Sequence, residues 1–501
     1  MSPHILYESS PVSMLSDDLL CMIFHEVHDS DERTTRLWNS NVASLLHVCR
    51  RWRYLAMHYA PLWDNLIWST GCSVDSGLIL LELSKMAPIC ADINAVAVSD
   101  KPQPSSEDIA AVHSVIRAVM LHLPRLTVLA LSWSDEYWDL DVFEPLSTTS
   151  TSPPSSLPRL RELRLLHHPP EDPLNVPTLS NLACHDLFQL HLKHVAVKDW
   201  ASMVGSSTTS VSLTRCTIQH DNFIEFLENT PSLSELRLCS VDVLDIPLYY
   251  FSLEMVGHAM RIVSVSHLDE NFLWMLQIED EREYWLNFLQ FPWFPRLTEL
   301  HTIYSGGWSS LTIIGEGGSP NPKIRSVTAA QSPLPLLSTA FSPGPMDNFT
   351  RDLRLLSVDI TDWCELLYTI RASSGASCKV LEIRLFVNQS LLAPVTDVEP
   401  RDYPWQHFSF PRIQKLEIIL QGPEPPSEQL TRHLLRAVRP MFLLEPRGIL
   451  LREAVRVKFV GSHAHCNVLM RIFEKLAEEG NDPDEVMVCQ ALLRCSAVCA
   501  D

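Results

Sequence analysis

One short apolar pattern recurs along most of the chain and constrains its fold more than any other feature. The pattern L-x-x-L-x-L appears as LPRLTVLALS at 123–132, as LPRLRELRLL at 157–166 and as TPSLSELRLC at 230–239. It returns as FPRLTELHTI at 294–303 and FPRIQKLEII at 410–419, with weaker copies in the intervening sequence. Because each unit has an apolar face that only its neighbours can cover, the repetition predicts a stacked array.

The middle apolar position of the pattern marks eleven units. The markers are Leu129, Leu163, Leu190, Val211, Leu236, Val263, Leu300, Val327, Leu356, Leu381 and Leu416. Most of them lie about 20–29 residues apart, which is the spacing of leucine-rich repeats. We therefore expect a short parallel strand in each unit, with the L-x-L side chains inside. The copies are irregular and lack a clear Asn at the ladder position, so the array is described as leucine-rich-repeat-like.

Side chains alternate along a strand, so the residue between the two inner positions should face solvent. These residues are Ala130, Arg164, His191, Ser212, Arg237, Ser264, His301, Thr328, Ser357, Glu382 and Glu417. The early half of this row is basic and the late half is acidic. We predict that Arg164, His191, Arg237 and His301 contact a client protein with an acidic patch. A solvated sheet face without a ligand is the alternative.

The first 68 residues show a different, helical spacing of apolar residues. In MLSDDLLCMIFHEV (14–27), Ser16 occupies the N-cap position and two acidic residues follow it in the first turn. VASLLHVCRRWRYLAMHYA (42–60) continues the helical spacing, and Pro61 ends it. Three short helices cannot bury all of these apolar side chains, so we expect the surplus to be covered by the next domain or by another protein.

The segments LSDDLLCMIF, LLHVCRRWRYLA and PLWDNL together resemble the F-box, in a form with a longer link between its first two helices. The family usually begins with Leu-Pro, whereas this chain has Leu15-Ser16. The resemblance implies docking on a Skp-type adaptor of a cullin-RING ubiquitin ligase, with the basic run Arg50, Arg51 and Arg53 at the rim. The contacts that it implies are Leu15, Leu19, Ile23, Phe24, Val48, Cys49, Trp52 and Trp63. The alternative is that these residues form a core against residues 70–120.

The fold class that follows is an α+β or α/β solenoid, in which a small helical F-box-like domain precedes an irregular leucine-rich-repeat-like array with parallel strands. We divide the chain into a disordered N-terminus (1–13), the F-box-like domain (14–68), a connecting helical segment (69–120), the array (121–460) and a C-terminal helical cap (461–501). Insertions into the array are predicted at 147–156 and 271–290.

Composition narrows the classes of partner. The net charge of −21 disfavours nucleic acid and anionic lipid surfaces. The 13 cysteines form no CxxC pair, which is typical of reduced thiols in the cytoplasm or nucleus. No signal peptide and no transmembrane run of about 18 apolar residues is visible. We therefore expect a cytoplasmic or nuclear protein with no nucleic-acid and no membrane partner.

Catalytic and cofactor motifs are absent from the sequence. It contains no G-x-x-x-x-G-K-[ST], no G-x-G-x-x-G and no G-x-S-x-G. Histidines at 25–28, 167–168 and 463–465 have no second cluster at the spacing of metal ligands. The prediction is a protein without a catalytic residue, metal or cofactor.

These features together predict a non-catalytic substrate-recognition subunit of an SCF-type ubiquitin ligase. A repeat-based interaction scaffold with no ligase role is the alternative. An enzyme whose site is assembled from scattered residues has no support in the sequence.

Overall fold

Parallel strands dominate the structure. The computed structural model describes residues 11–29, 40–96, 104–137, 155–156, 159–168, 178–179, 182–184, 186–198, 200–244, 261–266, 296–305, 308–316, 322–329, 353–360, 363, 380–388, 413–422, 424–445, 448–451, 455–480 and 482–495. The chain divides into two units, one of 1–233 with 241–247 and the other of 234–240 with 248–501.

Most of the described helices lie toward the two ends of the chain, and two short ones lie in its middle. They are α1 (Asp17–Asp29), α2 (Ser40–Val48), α3 (Arg50–His58), α4 (Val74–Leu83), α5 (Ser106–Met120), α6 (Trp200–Met203), α7 (His220–Asn229), α8 (Glu428–Phe442), α9 (His463–Glu479) and α10 (Pro483–Cys495). Short 3-10 turns cover Pro11–Met14, Ala60–Trp63, Leu123–Arg125 and Asp135–Tyr137.

The described strands run through the middle of the chain. They are β1 (Asn65–Ser69), β2 (Ile89–Ala95), β3 (Leu126–Ser134), β4 (Ser155–Ser156), β5 (Glu162–His168), β6 (Thr178–Leu179), β7 (Leu182–Ala183), β8 (Gln189–Lys193), β9 (Ala196–Val197), β10 (Ser210–Thr214), β11 (Thr217–Gln219), β12 (Glu235–Cys239), β13 (Asp242–Leu244), β14 (Ile262–Ser266), β15 (Arg296–Ser305), β16 (Trp308–Glu316), β17 (Lys323–Ala329), β18 (Leu355–Asp359), β19 (Glu382–Asn388), β20 (Lys415–Gln421), β21 (Leu443–Glu445), β22 (Gly448–Leu451) and β23 (Arg456–Val460).

The first unit contains an open parallel sheet in the order β1-β2-β3-β5-β8-β10. The marker residues of its strands are cross-strand partners and form one continuous row. This row consists of Leu66, Ala91, Leu129, Leu163, Leu190 and Val211, each at most 1% exposed. A second row two positions further along is equally buried and consists of Trp68, Ile93, Leu131, Leu165, Leu192 and Leu213. Since apolar burial contributes about 25 cal/mol per Å², these rows are the main source of cohesion between neighbouring strands.

In the second unit, nine of the described strands pair in the order β12-β14-β17-β16-β15-β18-β19-β20-β23, and β21 and β22 pair separately. Among the nine, all neighbours are parallel except β16, which is antiparallel to both of its neighbours. A buried row of this unit consists of Ile313, Leu300, Leu356, Ile383, Leu416 and Val457. The predicted mixture of helices with a large, mostly parallel sheet is confirmed.

Two details of the predicted array are corrected in this second unit. Ile383, not Leu381, is the partner of Leu356 and Leu416, so Arg384 takes the row position that was predicted for Glu382. The strand β16 was not predicted, and it inserts between β15 and β17. As a result β17, and not β15, lies beside β14.

The hairpin that causes this reordering has a sequence signal that the repeat pattern obscured. Ser305 and Trp308 are paired residues of β15 and β16, and only Gly306-Gly307 separates them in the chain. Two glycines between apolar segments favour a two-residue hairpin turn, because such turns need backbone conformations that glycine adopts without a steric penalty.

The predicted helical connection over 69–120 is also corrected. It contains β2, which pairs with β1 on one side and β3 on the other, so the sheet begins at Asn65 rather than near residue 121. Residues 11–13, assigned to a disordered terminus, belong to the first 3-10 turn. The predicted insertion at 271–290 lies outside the described residues, as does 147–154 of the other insertion.

Helices α8, α9 and α10 pack together at the end of the second unit. Glu485 of α10 is 9% exposed and accepts hydrogen bonds from Arg432 (3.1 Å) and Arg436 (3.3 Å) of α8. Two arginines compensate the cost of burying one carboxylate, and this ion pairing ties α10 to α8.

Candidate functional site

Helix α1 begins where the sequence predicts it. The backbone N–H of Leu19 donates to the Ser16 hydroxyl (3.3 Å), and Asp17 and Asp18 lie in the first turn. Ser16 thus satisfies one of the free N–H groups at the helix start, and the two carboxylates complement the positive end of the helix dipole. Both features stabilise the first turn of α1 and fix where the helix begins.

The inner face of α1 forms a small core with α3 and the 3-10 turn that follows it. Phe24 is fully buried and its ring meets that of Trp52 edge to face, with centroids 5.1 Å apart. Trp63 is 2% exposed and its indole Nε1 donates to the carbonyl of Ala56 (2.8 Å). Leu20 completes this core. The helical segment therefore has an interior of its own.

The outer face of α1 stays uncovered. Leu19, Met22 and Ile23 are 47%, 64% and 40% exposed. Together with Leu15, Glu26 and Val27 they line a shallow open depression along the helix. Positions 15, 19, 22, 23, 26 and 27 share one face because a helix turns 100° per residue. Apart from Glu26 this face is apolar.

The eight residues predicted to contact an adaptor are divided by this geometry. Leu19, Ile23, Val48 and Cys49 are exposed, Leu15 and Trp52 are half-buried, and Phe24 and Trp63 are buried. Phe24 and Trp63 are removed from the candidate surface because they make the core of the helices themselves. Cys49 also has a structural role, since its sulfur accepts from the backbone N–H of Trp52 (3.5 Å) as the N-cap of α3.

Two residues of the depression, Met22 and Val27, were missed by sequence reasoning. Both follow Leu15 and Leu19 at helical intervals, and extending the 3.6-residue period along that face would have found them. The predicted contacts Leu15, Leu19 and Ile23 already lie on this face, and Met22 and Val27 extend it.

The basic run of α3 is used largely within the chain. Arg51 donates to the carboxylate of Asp17 (2.6 and 2.9 Å) and to the carbonyl of Leu15 (2.6 Å). Arg53 donates to the carbonyl of Leu46 (2.8 Å). The contacts of Arg51 hold the start of α1 against α3, and the contact of Arg53 joins α3 to α2. Of the predicted rim arginines, Arg50 and Arg53 are exposed and Arg51 is half-buried.

The predicted client-binding residues lie on the open face of the two sheets. In the first unit Arg164 and His191 are cross-strand partners on β5 and β8. In the second unit Arg237 lies on β12 and His301 on β15. Each unit therefore carries part of the predicted basic row.

Arg164, Arg237 and His301 are each paired with a glutamate. A glutamate two positions earlier on the same strand, and hence on the same face, neutralises each one. The pairs are Glu162–Arg164, Glu235–Arg237 (3.9 Å) and Glu299–His301 (3.0 Å). The repeated Glu-x-Arg/His pattern means that this row presents less free positive charge than the sequence suggested.

Pairing between charges on the same face also produces a network of four charged side chains in the second unit. Arg384 pairs with Glu382 (3.0 Å) and Glu417 (3.0 Å), and Lys415 pairs with the same two carboxylates (2.8 Å each). Burial alone would raise the pKa of Glu382, but the hydrogen bond from Lys415 and the charge of Arg384 hold it below its usual value. The network has no net charge, and its ion pairs stiffen this part of the face.

No three His, Cys, Asp or Glu side chains come together to hold a metal ion within the part of the chain that the structure describes. None of the described helices combines the length and the apolar run that crossing a bilayer requires. Comparison with known proteins gave no relative: no family model matches the chain, and no curated protein is significantly similar to it.

Proposed function

We propose that this chain is a non-catalytic substrate-recognition subunit of an SCF-type ubiquitin ligase. Its first helices would dock on a Skp-type adaptor, and its sheet would hold the client. The observation that carries the proposal is the concentration of exposed apolar side chains at the start of the chain. Eight of the 13 large apolar side chains that are exposed among the described residues lie between residues 12 and 57. Scattered single apolar residues need no partner, whereas such a concentration is typical of an interaction surface.

The two apolar faces of α1 account for this surplus. Leu20 and Phe24 stabilise the helical core, so Leu19, Met22 and Ile23 are not needed for it. Covering these three side chains would contribute about 25 cal/mol per Å² of apolar surface removed from water. An adaptor that inserts into the depression of α1 would therefore gain most of its affinity there.

We propose further that the sheet is a leucine-rich-repeat-like solenoid. The support comes from three consecutive segments that share one order of structure. Each has a strand (β8, β10 or β12), then one residue with positive φ, then a second short strand (β9, β11 or β13). The residues with positive φ are His194 (57°), Arg215 (49°) and Ser240 (51°), and each directly follows the last residue of its strand.

The ligase role would require no chemistry from this chain. By holding adaptor and client at once, it would raise the effective concentration of a client lysine near the catalytic end of the ligase. Arg164, His191, Arg237 and His301 remain the proposed client contacts. The three that pair with glutamates would have to exchange those partners for acidic groups of the client.

The adaptor interaction is tested with purified full-length chain and a purified Skp-type adaptor. Ile23→Glu should weaken binding by about 2 kcal/mol or more, roughly thirtyfold, because it places an unpaired charge in a buried contact. Met86→Glu is the matched control, because Met86 is 80% exposed and lies outside the first helices. Binding is measured by titration calorimetry, and circular dichroism checks that both variants are folded.

Two outcomes would contradict the ligase proposal. One is no complex between the unsubstituted chain and the adaptor. The other is equal affinity for the Ile23 and Met86 variants. Either result would leave the repeat-based scaffold as the better account, and the burial of Phe24 and Trp63 within the chain is the observation that favours it.

A further inference from the structure

Basic side chains gather at the carboxyl edge of the sheet in the first unit. His168 and Lys193 are the last residues of β5 and β8, and the Lys193 Nζ lies 3.0 Å from the His168 Nδ1. His194 and Arg215 directly follow β8 and β10. Because the strands are parallel neighbours, their carboxyl ends meet at one edge, where open α/β sheets commonly bind ligands.

The backbone has the same unusual conformation at two of these residues. His194 and Arg215 have φ values of 57° and 49°, a region that residues with a side chain adopt uncommonly. The two residues therefore occupy equivalent places in consecutive segments. The repeated turn brings an imidazole and a guanidinium out at the same edge, one strand apart.

Lys193 and Arg215 differ from the paired arginines of the sheet strands in having no carboxylate partner among the described residues. Within the part of the chain that the structure describes, no Asp or Glu lies within ion-pair distance of Lys193 or Arg215. On the same open faces Arg164, Arg237 and Arg384 are each paired with a glutamate. The nearby Asp135 is hydrogen-bonded to the buried His167.

The four groups repel one another when charged. Burial, followed by the charge of Arg215, lowers the pKa of Lys193. Burial, followed by Lys193 and His167, lowers the pKa of His168. The pKa of His194 is lowered by burial and by the charges of His167 and Arg215, whereas the charge of Asp135 acts in the opposite direction. In a chain of net charge −21, two neighbouring cations without a carboxylate partner, Lys193 and Arg215, stand out, and an anion would relieve their repulsion.

We propose that Lys193, Arg215, His168 and His194 form a binding site for a phosphate group. Two permanent cations and two histidines match the charge and the three terminal oxygens of a phosphoryl group better than the two oxygens of a carboxylate. The arginine supplies a planar pair of donors, and the lysine supplies a point charge. The group could arrive as free phosphate or on a phosphorylated side chain of a protein. The site stands independently of whether the first helices bind an adaptor.

The test uses the full-length chain and two probes. Inorganic phosphate is titrated by calorimetry, and a fluorescent phosphoserine peptide is compared by anisotropy with its unphosphorylated form. The double variant Lys193→Gln/Arg215→Gln should bind either probe about tenfold more weakly or worse, since hydrogen bonds between charged groups are lost. Arg456→Gln is the matched control, because that arginine is exposed, lies at the start of β23 in the second unit and belongs to neither proposed binding surface.

Each outcome decides the proposal. Phosphate binding that the double variant loses and the control retains supports the site. If the phosphopeptide binds and its unphosphorylated form does not, the source is a protein segment; if only inorganic phosphate binds, the source is the free ion. No binding of either probe, or equal affinities for the double variant and the unsubstituted chain, overturns the proposal. Unchanged thermal unfolding of the double variant shows that its loss of binding is not a loss of fold. If the double variant is destabilised, Arg215→Gln alone, a substitution at an exposed residue, is titrated in its place and should also bind phosphate more weakly.

Discussion

Neighbouring residues of α1 have opposite roles, although both are large and apolar. Phe24 is fully buried against Trp52, whereas Ile23 is 40% exposed at the depression. One residue corresponds to a 100° rotation of the helix, which is enough to move a side chain from the core to the surface. The two positions therefore separate a stability role from an interaction role within one helix.

Substitutions at this pair of residues should differ strongly in their effect on stability. Phe24→Ala should lower the free energy of unfolding by about 3–5 kcal/mol, because it leaves a cavity beside the Trp52 ring. Ile23→Ala, the matched change, should cost about 0.5 kcal/mol or less in the free chain. Urea denaturation followed by circular dichroism measures both. Comparable losses would mean that Ile23 is packed within the chain and is not available to a partner.

Helix α5 illustrates how local polar groups define an element. Ser105 and Asp108 form a capping box: the Ser105 hydroxyl accepts from the Asp108 backbone N–H (3.2 Å), and the Asp108 carboxylate accepts from the Ser105 backbone N–H (3.1 Å). From this start the helix buries Val112, Val115 and Val119, which lie on one face. The cap and the apolar face together stabilise α5. The helix lies between β2 and β3 in the chain and forms the crossover that parallel strands require.

Substitution of Ser105 tests the capping box, and substitution of Ser114 in the same helix is the control. Ser105→Ala should destabilise the first unit by about 1 kcal/mol, because the helix start loses a hydrogen-bond partner. Ser114→Ala removes a hydroxyl that donates to the Ala110 carbonyl in the helix interior, so it should be neutral or slightly stabilising. Thermal unfolding of the two variants gives the comparison. Equal effects would show that the box contributes nothing beyond helix propensity.

Over the whole molecule, every described histidine whose pKa departs from the ordinary value has a lowered pKa. They are His122, His168, His194 and His433, and burial is the largest cause for each. A folded chain that resists protonation binds fewer protons than the unfolded chain once the pH falls below the ordinary histidine value of 6.5. Stability from these groups is thus present above pH 6.5 and is lost as the pH falls toward their lowered folded values.

His433 of α8 provides the test of this pH dependence. Burial and the charge of Arg436 lower its pKa, while a hydrogen bond with the backbone of Ile360 acts in the opposite direction. The melting temperature of the His433→Gln variant should therefore fall less than that of the unsubstituted chain when the pH is lowered from above 6.5 to below it. His463→Gln, at an exposed residue, should follow the unsubstituted chain. An identical slope for all three proteins would contradict the assignment.

The local features of this protein could be read from its sequence, because they depend on neighbours within a few residues. The L-x-L alternation predicted strands whose leucines face inward, and Leu129, Leu163 and Leu190 are buried as expected. Ser16 followed by two aspartates predicted the start of α1. Both signals arise from the periods of 2 and 3.6 residues that backbone geometry imposes.

Only the tertiary structure decided what depends on residues far apart in the chain. It showed which apolar face of α1 is covered, and it placed β17 beside β14. It also brought Lys193 to within 3.0 Å of His168, 25 residues earlier, while leaving no glutamate beside either one among the described residues. A sequence pattern reports which side of an element is apolar or charged. The total burial and the charge pairing of the assembled elements determine which surfaces then meet. A local period of apolar residues does not report contacts between residues that are far apart in the chain.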